Sequence, residues 1–191
     1  SAETVEVIIV RAKIQLRDSE AKGKVIEHQL GEDGKKYKVG VINLPSFYMD
    51  MEAARKGVKD YRSTTRDVRV IIDGFKKDGV DAIVMDLSTN GGGSLTEAID
   101  LTGLFIDQGT VVQVKSPNGE VQQYDDRNPG TAWDGPLVVV CSKFSASASE
   151  IFAGAIADYD RGIVVGDSAT HGKGTVQSLL ELGSQLFRIA N

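Results

Sequence analysis

Three short segments of this chain gather residue types that can do chemistry together. The first is Asp86-Leu87-Ser88-Thr89-Asn90-Gly91-Gly92-Gly93-Ser94, which follows an apolar run and precedes a helical pattern. Consecutive glycines let backbone N–H groups approach an anion closely, and the positive end of the next helix adds to the attraction. Such a turn can hold a phosphate or the oxyanion of an acyl transfer. It is not a dinucleotide fingerprint, because Thr96 stands where a third glycine is needed. A flexible turn with Ser94 as N-cap is the plainer alternative. The second segment is Phe144-Ser145-Ala146-Ser147-Ala148-Ser149-Glu150. A turn of small residues between a strand and a helix can present a serine hydroxyl with its neighbour's N–H aimed the same way, the geometry of a nucleophile beside an oxyanion hole. Ser147 and Glu150 also fit a capping box, so a purely structural role stays open. The third is His171-Gly172-Lys173-Gly174-Thr175-Val176-Gln177. It fails as a phosphate loop, because Gly174 follows the lysine where Ser or Thr is required. Lys173 is either a solvated surface cation or a general base, and a lysine acts as a base only when burial makes it neutral.

The elements that must position these segments follow from the apolar periodicity. Residues 5–16, 24–29 and 36–44 read as strands, the last two joined across Gly31-Glu32-Asp33-Gly34. Residues 45–63 read as polar and irregular. Val68, Ile71, Ile72 and Phe75 predict a helix over 64–78, stopped by Gly79. Ala82 to Met85 is a short strand apolar on both faces, and the glycine turn leads into a helix over about 94–106. Residues 110–124 predict a hairpin turning at Pro117-Asn118-Gly119. Leu137 to Cys141 is another buried strand, 147–158 a helix and 162–165 a short strand. Residues 186–191 read as a strand that stops with no turn signal, as in a fragment of a longer protein. Short apolar strands alternating with amphipathic helices predict an α/β core with parallel pairing. The division expected is an N-terminal β element over 1–44, laid on a core over 45–191.

The chain has 191 residues, 41% apolar and 26% charged, which excludes wholesale disorder, collagen and coiled coil. A chain of this length needs no disulfide or metal to fold, since it buries roughly 70% of its unfolded surface. The longest apolar run, Leu137 to Cys141, is far short of the roughly 20 residues that span a bilayer. The net charge of −5 repels phosphate backbones and argues against nucleic-acid partners. Cys141 lies in an apolar run and reads as an inert core thiol. His28, His171 and Cys141 are too few and too scattered for a zinc site.

In their order, the three segments resemble the carboxy-terminal-processing or tail-specific protease family. Its Asp-Leu-Arg-x-Asn-Gly-Gly-Gly turn, Ser-Ala-Ser-Ala-Ser-Glu segment and Gly-Lys-Gly-Thr-Val-Gln segment stand here as 86–93, 145–150 and 172–177. The stretches Leu101 to Ile106 and Ala157 to Arg161 are similar as well. The resemblance implies a fold like the ClpP/crotonase spiral of β-β-α units, polypeptide substrates with apolar C-termini, and no cofactor. It also implies an exported, typically periplasmic location, and a PDZ domain in the full-length protein, which is not read in this chain. Mapped residue by residue, it makes Ser147 the nucleophile and Lys173 its base. Gln177 orients the lysine, the N–H groups of Gly93 and Ala148 are the oxyanion donors, and Asp158 is an aspartate required for activity. Ser88 replaces the family's arginine, His171 replaces its aromatic, and the loop 167–170 is one residue longer than usual.

Spacing constrains these roles. Asp158 comes eleven residues after Ser147, about 16 Å along a helix, so it supports the fold, with an ion pair to Arg161 expected. Lys173 and Gln177 lie roughly 13 Å apart in a straight strand, so their contact needs a bend at Gly174. Two rivals stay open beside the Ser147–Lys173 peptidase. In one, His171 is the base with Asp167 or Asp158 behind it. In the other, the fold binds peptides or an acyl ligand at the glycine turn without catalysis.

Overall fold

The computed structural model describes residues 19–29, 34–176, 179–182 and 187–190. The strand read at 5–16 and Gln177 lie outside the described residues. A five-stranded sheet runs through the molecule in the order β1 (Lys22–Gln29), β2 (Lys36–Asn43), β3 (Ala82–Asp86), β6 (Leu137–Cys141) and β7 (Ile163–Gly166). β1 is antiparallel to β2, and β2, β3, β6 and β7 are all parallel. The helices α1 (Met51–Arg55) and α2 (Thr64–Lys77) connect β2 to β3. α3 (Leu95–Thr102) and a hairpin of β4 (Gly109–Lys115) and β5 (Val121–Asp126) connect β3 to β6. α4 (Ala148–Asp158) connects β6 to β7, and β8 (Leu179–Leu182) pairs antiparallel with β9 (Phe187–Ala190). This is the α/β architecture expected. The boundary at residue 44 is no break in it, because β2 is hydrogen-bonded to β3 from Val39↔Ala82 to Asn43↔Asp86.

Local chemistry sets the elements. Ser63 caps α2 by accepting from Arg66 N–H (3.3 Å), while Val68, Ile72 and Phe75 form its buried face. Phe75 lies over β2, where a Cβ at Gly40 would meet its ring at 2.4 Å. Ile42, Ile83, Met85 and Val139 fill the sheet's core positions. The hairpin turns where expected, with Gly119 at φ +88° and Ser116 N–H bonded to the Glu120 carbonyl. Cys141 is buried, and that burial pushes its thiol pKa up, as a core thiol requires.

Two expectations fail for physical reasons. The helix expected to 106 ends at Thr102. The Leu104 carbonyl is taken by Ala132 and Trp133 N–H (2.7 and 3.0 Å), and the Phe105 carbonyl by Arg161 Nε (2.7 Å). The N–H groups of Leu104 and Phe105 bond only three residues back, to the Leu101 and Thr102 carbonyls, so the chain tightens out of the α-helix where these distant donors hold it. The stretch 45–63 is not merely polar and irregular. It carries α1 and buries Phe47 and Tyr48. Phe152 of α4 packs against both Phe47 (6.4 Å between ring centres) and Phe105 (5.7 Å, edge-on), so that stretch is part of the core.

Candidate active site

Parallel strands put the loops that follow them at one edge of the sheet. β2, β3, β6 and β7 are neighbours, so the segments after them converge at their carboxyl ends. These are Phe47, the glycine turn, the serine turn and the lysine loop. The backbone continues the ladder there: Leu44 N–H bonds Asp86, Leu87 N–H bonds Val140, and Asp167 N–H bonds the Cys141 carbonyl.

Asn90 holds the glycine turn and is fully buried. Its Nδ2 donates to the Leu44 carbonyl (2.9 Å), and its Oδ1 accepts from Gly92 N–H (2.8 Å). Its carbonyl accepts from Ala146 N–H (3.1 Å) and Ser149 Oγ (2.8 Å), which ties the turn to the serine segment. Phe47 N–H donates to the Gly92 carbonyl (3.0 Å), and the Phe47 carbonyl accepts from Ser94 N–H (2.8 Å). In such a parallel bridge the N–H of the residue between, Gly93, faces the other way. Only glycine fits that position: its φ is +148°, and a Cβ would lie 2.2 Å from the Phe47 carbonyl oxygen.

The three serines of the second segment have different roles. Ser145 Oγ donates to the Leu87 carbonyl (2.8 Å), Ser149 Oγ to that of Asn90, and both residues are fully buried. They are rivets between the two turns. Ser147 is partly exposed and has φ +55°, a conformation that costs a non-glycine residue on the order of 1–3 kcal/mol. A nucleophile elbow uses this kind of strained turn between strand and helix. A Cβ at Gly92 would lie 2.9 Å from Ser147 Cβ and 3.2 Å from Ala148 N, so the two turns are in contact. Among the described residues the N–H groups of Gly93 and Ala148 have no hydrogen-bond acceptor. Ala148 N–H also belongs to the first turn of α4, where the helix dipole favours an anion.

Gly93, Ser147, Ala148 and Lys173 line one cavity of about 180 Å³, with Leu95, Ile151, Thr175 and Val176. The sequence-predicted nucleophile, base and both oxyanion donors therefore meet at one place. Lys173 is exposed, and no hydrogen bond joins its Nζ to Ser147 Oγ among the described residues. Its backbone is fixed by Glu150. That carboxylate accepts from Ser147 N–H (2.7 Å), Lys173 N–H (3.0 Å), Gly172 N–H (2.6 Å) and Thr170 Oγ1 (2.7 Å). Partial burial raises its pKa, but the four hydrogen bonds outweigh this and hold it below the ordinary carboxylate value. The expected Ser147–Glu150 capping box is present, its Glu150 side being the bond from Ser147 N–H. The Ser147 carbonyl takes Glu150 N–H (2.9 Å), so the hydroxyl is not needed to satisfy that donor.

Other expected residues stand elsewhere. Asp158 is exposed, eleven residues along α4 from Ser147. Its expected pairing with Arg161 is not formed, because Arg161 donates instead to the carbonyls of Phe105, Trp133 and Gly135. These three acceptors converge on the planar guanidinium more completely than one carboxylate could. His171 is exposed and bonded through its N–H to the Ser145 carbonyl (3.0 Å). Asp167 Oδ2 accepts from Lys143 N–H (2.9 Å), and among the described residues neither Asp167 nor Asp158 is bonded to His171. No helix of the described residues is long and apolar enough to cross a membrane.

The family model for peptidase family S41 matches residues 38–189, a span that contains every element of this site. The chain belongs to peptidase family S41. Within S41, it is 38% identical over 171 residues to the tail-specific protease of Haemophilus influenzae, covering 90% of this chain and 22% of that protein. It is 35% identical over 153 residues to the chloroplastic carboxyl-terminal-processing peptidase 2 of Arabidopsis thaliana, covering 80% and 27%. A probable CtpA-like serine protease of Staphylococcus aureus matches at 35% over 182 residues, covering 94% and 32%. The chain thus spans between about a fifth and a third of these relatives. Among solved structures, the photosystem II D1 C-terminal processing protease superposes with a TM-score of 0.69 at 24% identity, over 92% of this chain and 42% of that one. Mature CPAF complexed with lactacystin gives 0.62 at 14%. The fold is that of the S41 proteases.

Sequence reasoning did not assign positioning roles to Asn90 or Thr170, nor the contacts of the Glu150 carboxylate with the lysine loop. The signal for Asn90 was its place before three glycines. The Glu150–Thr170 contact spans twenty residues and had no local signal.

Proposed function

We propose that this chain is the catalytic core of a serine endopeptidase that cleaves polypeptides with apolar C-termini. One observation carries the proposal: Ser147, Lys173 and the unengaged amides of Gly93 and Ala148 share a single small cavity. Lys173 Nζ, in its neutral form, takes the proton as Ser147 Oγ attacks the peptide carbonyl. The carbonyl oxygen becomes an oxyanion held by the two N–H groups. The C–N bond then breaks, Lys173 returns the proton to the leaving amine, and water attacks the acyl-serine with Lys173 again as base. Lys173 is exposed in the free chain, so a bound peptide lying over the cavity supplies the desolvation that favours the neutral amine. Leu95, Ile151 and Val176 give the cavity apolar walls suited to such a substrate. Gln177 orients Lys173 in this reading, and Asp158 supports α4. Export, and a PDZ domain elsewhere in the full-length protein, complete the proposal.

The exposure of Lys173 also favours a second reading, in which the chain binds peptide without cleaving it. The test is cleavage of an unfolded protein with an apolar C-terminus by the full-length protein, beside Ser147→Ala and Lys173→Ala. Loss of cleavage by at least about a thousandfold in both variants is expected. Equal rates in all three, or no cleavage by any, would sink the dyad and leave the binding reading.

A further inference from the structure

Tyr48 follows Phe47, whose backbone groups hold the glycine turn on both sides of Gly93. The Phe47 carbonyl, which accepts from Ser94 N–H, lies in the rigid peptide plane shared with Tyr48. Its direction is therefore set in part by where Tyr48 is held. The approach to Gly93 leaves no room for a Cβ, so a displacement of this carbonyl passes directly to the glycine.

Tyr48 is fastened at three places. Its carbonyl accepts from Thr64 N–H (3.1 Å) and Thr64 Oγ1 (3.0 Å) at the start of α2. Its ring is buried, with the Arg62 guanidinium carbon 4.3 Å from the ring centre. Its hydroxyl donates to Asp67 Oδ2 of α2 (2.6 Å) and accepts from the backbone N–H of Ala21, just before β1 (3.0 Å). Burial, then the Asp67 hydrogen bond, push the phenol pKa above its ordinary value, so the hydroxyl stays a donor. Arg62 holds the same approach segment through Glu20 Oε1 (3.1 Å) and Ser19 Oγ (3.0 Å). A phenylalanine would fill the same space and keep the Thr64 contacts. Only the hydroxyl adds two directional bonds, to two different elements, that fix where the ring sits.

We propose that Tyr48 is a positioning residue for acylation: its hydroxyl, tied to Asp67 and Ala21, holds the Phe47 segment so that the Gly93 N–H points at the oxyanion. This role rests on the peptidase reading above. Two measurements test it on Tyr48→Phe. The first is burst acylation of the full-length protein by p-nitrophenyl butyrate, per folded molecule, with Ser147→Ala as the blank. The second is the Gly93 amide cross-peak by NMR in the 191-residue chain. Complete loss of an oxyanion donor costs about a hundredfold or more, and a displaced donor loses part of that. The maximal acylation rate is expected to fall about tenfold, with the half-saturating ester concentration within about twofold and the Gly93 cross-peak moved. Gly40→Ala, which loosens α2 away from the site, should leave rate and cross-peak in place. Asp67→Ala should lower the rate in the same direction, and it covers the case that Tyr48→Phe does not fold. Asp67→Asn keeps an acceptor for the hydroxyl and should restore most of the rate. A rate in Tyr48→Phe within about twofold of an active wild type would overturn the proposal. So would an unmoved Gly93 cross-peak, or equal effects of Gly40→Ala, which would reduce the hydroxyl to a general contribution to stability. A wild type no faster than Ser147→Ala would instead end the peptidase reading, and the Gly93 cross-peak would then decide alone whether Tyr48 sets that amide.

Discussion

Glu150 joins the two halves of the proposed dyad without touching the reacting atoms. Its carboxylate holds the N–H of Ser147 on one side and those of Gly172 and Lys173 on the other. These bonds favour the ionised form, so its pKa in the folded chain lies below the ordinary 4.5. In the window between the two values the unfolded chain binds more protons, so stability rises with pH there. The contribution is fully present above about pH 5 and is lost as pH falls through the folded value. Glu150→Gln should flatten this part of the acid profile, read from urea unfolding at successive pH values between about 2 and 6. Identical profiles for the two chains would mean that the carboxylate is not held as the structure has it. The serines make the same point about residue scale. Three identical side chains two residues apart are indistinguishable by type, yet two are buried rivets and the third faces the cavity.

At the scale of elements, the glycine turn between β3 and α3 works because Asn90 is bonded on every side. The turn displays the Gly93 amide only while the Phe47 segment, the Asn90 side chain and the serine segment keep their places. Asn90→Ala leaves the Leu44 carbonyl and Gly92 N–H without partners and opens a small void. The expected destabilisation is about 2–4 kcal/mol by urea unfolding, with loss of acylation by a serine-reactive probe at a temperature where the chain stays folded. A destabilisation under about 0.5 kcal/mol would show that the turn is held by something else. The strand–turn–helix character of these segments was legible in the apolar runs and the glycines. The end of α3 was not, because the segment just after it, Leu104 and Phe105, is held by Trp133 and Arg161, about thirty and sixty residues on in the chain.

At the scale of the molecule, the sheet's parallel register brings the loops after β2, β3, β6 and β7 to one edge. α2 is held against that sheet by Phe75, which needs Gly40 to be without a side chain. Gly40→Ala should cost about 1–3 kcal/mol through displacement of the ring, while the acylation rate per folded molecule stays within about twofold. Unchanged stability would mean that α2 shifts freely over the sheet. The expected N-terminal element and core share one sheet for the same reason. β2 has the apolar alternation of an ordinary strand, and nothing in its residues says which partner it pairs with.

The sequence by itself determined the kinds of groups and the short elements that carry them. A glycine run after an apolar strand, a serine before a helix and a lysine between glycines are local facts, set by steric freedom and hydrogen-bonding chemistry within a few residues. That is why the order of the three motifs sufficed to mark the family. Only the tertiary structure decided that Ser145 and Ser149 are buried, that Arg161 serves three carbonyls rather than Asp158, and that Asp126 is buried with one oxygen unpartnered among the described residues. It also decided that Glu150 ties the serine turn to the lysine loop. Each of these depends on burial or on a partner many residues away. Burial and distant hydrogen bonds are properties of how the elements pack, and local residue patterns do not carry them.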